Sequence, residues 1–147
     1  MPRLRRFCSL SAADRCLLAR TLFLVIAVRV GLTLLSYRTL RRLIPRLFPR
    51  VTSGTANVVS PAHMGRLMWA VRSAARFVPA ASCLTQAIAA QVLLAFHGEK
   101  TCLRIGVAKD EKGEFKAHAW IESQNRIIIG GTSSAEIYTP IAAFDGF

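Results

Sequence analysis

The sequence predicts an α+β fold: a run of helices in the first half, then one further helix packed on a small antiparallel sheet. Three observations carry this prediction. Apolar residues recur at helical three- and four-residue steps as far as about residue 96. Apolar and polar residues alternate from about residue 101, and turn-forming residues interrupt that stretch at short intervals. With 147 residues, 52% of them apolar, the chain can bury one core, so a single domain over 1–147 is expected, with a basic helical part (1–76) and a second part (77–147).

Residues 11–48 read as two helices, a long apolar one and a short basic one. Ser11 is the N-cap of the first, and Arg38, Arg41, Arg42 and Arg46 recur at helical spacing in the second. The apolar run from Thr21 to Val28 continues past Arg29 to Ser36, so it reaches spanning length only with an arginine at mid-membrane. That placement costs about 2.5–3.5 kcal/mol on insertion scales. A buried helix whose Arg29 pairs or snorkels is therefore expected, and peripheral membrane contact by residues 18–37 remains open. Residues 50–61 are small and polar without a period, which marks a loop.

A third helix over 62–77 carries Met64, Leu67, Met68 and Val71 at helical steps and stops before Pro79. Ser82 then caps the clearest helix in the chain, residues 83–96, which His97-Gly98 ends. Three strands follow, over 101–108, 115–123 and 126–130, joined by turns at 109–113 and 124–125. They read as an antiparallel meander.

Charge divides the chain. Residues 1–76 hold fourteen arginines, no lysine and one acid, Asp14, a net of about +13; residues 77–147 are near −1. Arginine suits bidentate contact with carboxylates and phosphates, so an acidic peptide, a partner protein or an anionic membrane fits this half. Arg41 and Arg42 are candidates for docking such a partner. Nucleic acid is not expected, because no recognition module, zinc spacing or interleaving of aromatic and basic residues is present. Cys8, Cys16, Cys83 and Cys102 are scattered, and the apolar run begins too late for a secretory signal, so thiols in a reducing cytoplasm are expected.

Cys83 opens its helix, where unpaired backbone N–H groups and the positive dipole end favour a thiolate. It shares a face with Ala87, Ala90 and Leu94, whose small members let that face approach a sheet. In the second strand the period of two places Lys116, His118, Trp120 and Glu122 on one face. If the helix N-terminus packs beside this strand, His118 can take the thiol proton, and the Cys83 N–H can donate to an oxyanion. Either residue alone most often has a structural role, and the order helix-first cysteine, then strand histidine, is what points to catalysis. Cys8, Cys16 and Cys102 lack that setting and are read as packing residues. His97 is read as a charged cap at its helix C-terminus, and His63 has no evident partner. No residues have metal-ligand spacing and there is no phosphate loop, so neither metal nor cofactor is implied.

The segments ASCLTQA (81–87), LRIGV (103–107) and AHAWIE (117–122) together resemble the lasso-peptide leader-processing proteases, the cysteine-protease half of the lasso B protein, within the transglutaminase-like superfamily. The likeness extends weakly upstream through MWAVR (68–72) and the arginine-rich apolar helices, and downstream through IIIGG (127–131) to YTP (138–140), and so covers nearly the whole chain. It implies a papain-like, transglutaminase-like core over 77–147 with Cys83 as nucleophile and His118 as general base. The implied reaction is hydrolysis between leader and core of a ribosomally made precursor peptide. It also implies two partners, a separate leader-recognition protein and an ATP-using cyclase that closes the lasso ring. Related members carry an orienting acid about twelve positions after the histidine, where this chain has Gly130. Glu122, Glu136 and Asp145 are the carboxylates left for that role, with Asn125 as a neutral substitute.

Overall fold

The computed structural model describes residues 10–49, 58–131 and 137–147. Helix α1, Ala12–Leu34, starts where the hydroxyl of Ser11 accepts the Asp14 N–H at 3.1 Å, a capping bond that satisfies one of the helix's orphan donors. Helix α2, Tyr37–Leu47, is capped in the same way by Ser36, and it packs back on α1 where Gly31 leaves room for the Leu40 side chain. Pro45 lies inside α2, in its last turn. Ser60 caps helix α3, Pro61–Ala75, with proline in the first turn, where a missing N–H costs nothing. The predicted loop at 50–61 falls, as far as residue 57, outside the described residues.

Helix α4, Cys83–Phe96, coincides with the predicted one. Every residue from Ala87 to Ala95 is buried, so this helix is the centre of the molecule. Burying side chains such as Ile88, Val92 and Leu94 stabilises the fold by about 1.5–3 kcal/mol each. It ends at Gly98, whose φ of +77° lets the last N–H groups turn back to the Leu94 and Ala95 carbonyls.

The sheet has one strand more than the meander predicted. Strands β1 (Cys102–Lys109), β2 (Phe115–Ser123) and β3 (Arg126–Ile129) match the expectation, and β4 (Thr139–Asp145) pairs antiparallel with the free side of β1. The order is β3-β2-β1-β4. Pro140 near the start of β4 removes a donor that a central strand would need, which is tolerable at an edge and hides the strand from propensity rules. Buried Gln91 of α4 donates to the Phe144 carbonyl at 3.3 Å and ties the central helix to this edge.

One buried cluster joins Leu18, Val25 and Val28 of α1 to Leu67 and Val71 of α3, to α4, and to Leu103, Ala119, Ile121 and Ile129 of the sheet. Two expectations for the basic half change. Only one stripe of α1 is buried, so it is not a buried helix throughout; Phe23 is 72% exposed and Leu34 75%. Arg29 is half-buried and makes no ion pair among the described residues. Arg41 is also not free to dock a partner. It donates to the Asp145 carbonyl at 2.6 Å and lies over the Phe144 and Phe147 rings, which pins α2 to β4.

Candidate active site

Two local structures carry the candidate residues, one at the start of α4 and one on β2. At the start of α4 the Ser82 hydroxyl accepts the Thr85 N–H, and Cys83 is the first helical residue, half-buried against the core. Its own N–H has no intrahelical acceptor at that position, so it is placed to donate to an anion formed at the thiol.

On β2 the predicted alternation holds. Ala119 and Ile121 join the core, whereas His118, Trp120 and Glu122 interact with one another along the opposite face. The His118 ring neighbours Trp120, at 6.3 Å and 22°, and Tyr138, at 5.0 Å and 32°. These two aromatic neighbours limit its rotation. Its Nε2 sits 2.6 Å from the Gly130 carbonyl oxygen. A carbonyl can only accept, so Nε2 carries the proton and, in the neutral ring, the lone pair is on Nδ1. Nδ1 is therefore the ring nitrogen left able to accept a proton.

Gly130 thus does through its backbone what the carboxylates were weighed for. At φ +110°, just past β3, its backbone is in a region that favours glycine. A side chain there would also collide with Trp120: an added Cβ would lie inside contact with the Trp120 Cβ and 2.9 Å from its Cα. No acid fits at this position. Glu122 is committed elsewhere, accepting from Trp120 Nε1 at 2.8 Å and from Arg104 Nε at 3.0 Å. Asn125 is in the β2–β3 turn, roughly 20 Å along the strand from His118. Asp145 ends β4 opposite Cys102, and Glu136 falls outside the described residues.

Cys83 and His118 are not hydrogen-bonded to each other in this structure. A separate cleft is lined by Glu99, Cys102, Arg104, Glu122 and Asp145, and neither Cys83 nor His118 takes part in it. Within it, burial pushes the Cys102 thiol up, which suits the packing role expected of it.

Residues 24–143 match the family model of the transglutaminase-like superfamily. The chain belongs to that superfamily. Transglutaminase-like proteins are typically cysteine peptidases or acyltransferases, and the α+β architecture seen here agrees with membership. No curated protein and no solved structure shows significant similarity to this transglutaminase-like chain. Cys83, His118 and Gly130 all fall inside the matched segment.

The other histidines differ from expectation. His97 does occupy the C-cap of α4, but partial desolvation of its ring, followed by repulsion from His63, holds it below the usual histidine value. A charged cap is thereby disfavoured. His63 has a partner after all: the two rings meet edge to face at 4.9 Å. The signal that sequence reasoning lacked was the approach of the α3 start to the α4 end.

Proposed function

We propose that this protein is a cysteine peptidase that removes the leader from a lasso-peptide precursor, with Cys83 as nucleophile and His118 as general base. The observation that carries the reading is the placement of Cys83 as the first residue of the central helix inside the superfamily match. The segments 81–87 and 117–122 narrow the superfamily reading to leader processing.

In the proposed reaction His118 Nδ1 takes the thiol proton and the thiolate sulfur attacks the carbonyl carbon of the leader–core bond. The tetrahedral oxyanion lies at the Cys83 N–H, and collapse breaks the C–N bond while the imidazolium protonates the departing amine. Water, deprotonated by the same nitrogen, hydrolyses the thioester and frees the leader carboxylate. Gly130 keeps Nδ1 aimed throughout by holding Nε2–H. The partners in this reading are the precursor, a separate leader-recognition protein and an ATP-using cyclase, and the setting is cytoplasmic.

The same scaffold also suits acyl transfer to an amine, because the thioester is common to both reactions and only the second nucleophile differs. Mass spectrometry of the cognate precursor, incubated with this protein and its recognition protein, separates the readings. Leader–core cleavage that is lost in Cys83→Ala and in His118→Ala is the expected result. An amine-linked product would move the assignment to acyl transfer. No reaction by folded wild-type protein would leave a catalytically silent binding scaffold.

A further inference from the structure

We propose that α1 seats this protein on an anionic membrane surface, lying in the interface plane and not across the bilayer. The helix is apolar around nearly its whole circumference, with a mean hydropathy of 2.0 over its best 18-residue window, yet only 22% of that window is buried. Leu18, Thr21, Val25 and Val28 face the core. Helical spacing places Cys16, Ala19, Phe23, Val30 and Leu34 along the opposite side, all exposed. Phe23 and Leu34 are about three-quarters exposed, and Ile26 and Val30 nearly half.

Helices that are apolar all round belong in a core or in lipid, and the core takes only one stripe of this one. The charges beside the ridge indicate what covers the remainder. Arg15 and Arg20 are exposed on α1 itself, and Arg38, Arg42 and Arg46 are exposed on α2, which follows directly. Arginine matches lipid phosphate bidentately. An apolar ridge bordered by such cations is the pattern of an interfacial helix. Spanning is disfavoured, because the buried stripe is already packed on α3 and α4 and Arg29 would sit at mid-bilayer. A second copy is a poorer fit. The ridge is about 27 Å long and about 10 Å wide, roughly 300 Å², against about 800 Å² per partner in a typical stable interface.

The test is flotation of the full chain with vesicles of phosphatidylcholine alone or mixed with phosphatidylglycerol. Binding should require the anionic lipid and fall with added salt. It should weaken about tenfold or more when Phe23→Ser and Leu34→Ser are combined. Arg15→Gln with Arg20→Gln should weaken it without touching the ridge, and circular dichroism melting should be unchanged in both variants. Absence of flotation overturns the proposal, as does equal binding to neutral vesicles. Resistance to alkaline carbonate extraction overturns it in favour of a span. A concentration-dependent dimer that the serine pair dissociates overturns it in favour of self-association.

Discussion

At the scale of single residues, the aim of the His118 imidazole depends on an atom that no side-chain comparison reveals. The Gly130 oxygen fixes Nε2 as the protonated nitrogen, and Trp120 and Tyr138 pack near the ring. Long-range nitrogen–proton NMR correlation of the neutral histidine should show the Nε2–H tautomer; finding Nδ1–H would remove the carbonyl from its orienting role. Gly130→Ala meets both the Trp120 backbone and an unfavourable positive φ, so it should cost about 2–3 kcal/mol and lower precursor turnover further than the loss of folded protein explains. A neutral carbonyl stabilises an imidazolium less than a carboxylate does. The placement of Cys83 at the start of α4 and of His118 on β2 was legible because capping and alternation are local signals. Gly130 was legible only as a gap, since its contribution comes from the peptide group that every residue has.

At the scale of elements, the capped start of α4 is the feature that the sequence displayed most plainly. Ser82 is followed by uninterrupted helix formers, and the helix begins and ends where those residues place it. Ser82→Ala removes the acceptor of the Thr85 N–H and should lower stability by about 1 kcal/mol, measured by urea unfolding; an unchanged midpoint would show that the cap is dispensable. The β1–β3 meander was equally readable, because alternation and tight turns are local signals. Strand β4 was not, because Pro140, Ala142, Ala143 and Asp145 interrupt its strand formers Thr139, Ile141 and Phe144. Its position is set by long-range partners instead: the β1 ladder, the Gln91 amide and the Arg41 guanidinium. The first arginine singled out for docking thus has a structural duty that only the folded chain discloses.

At the scale of the whole molecule, two titrating groups join parts distant in sequence: Glu99 ties Val59 to the end of β2, and His97 at the end of α4 meets His63 of α3. Buried Glu99 accepts from the Ser123 hydroxyl, from the Val59 N–H at 2.8 Å and from Gln124 at 3.1 Å. Burial alone would push its carboxyl up, but these donors outweigh burial and keep it below 4.5. His97 is also held below its usual value. Both folded-state values are lower than the unfolded ones, so in each case stability is present at higher pH and lost as pH falls. The His97 window opens below about 6.5 and the Glu99 window below about 4.5. Unfolding free energy should therefore decline in two stages on acidification, and His97→Gln should flatten the first while leaving the second. A first stage that persists in that variant would assign it to another group.

The sheet order carries a consequence for how the molecule is assembled. Strand β1 finds β2 across a short turn, but its other neighbour arrives only after the whole β2–β3 hairpin has been made. Until β4 docks, one side of β1 presents a row of unpaired peptide groups, and closing that distant contact is slow relative to forming the hairpins. Contact order thus predicts that the meander forms before β4 closes on it, with Gln91 and Arg41 fastening that closure. Weakening either lock should prolong the interval in which β1 can pair with another chain, so the arginine that fastens the edge also protects newly made protein from aggregation.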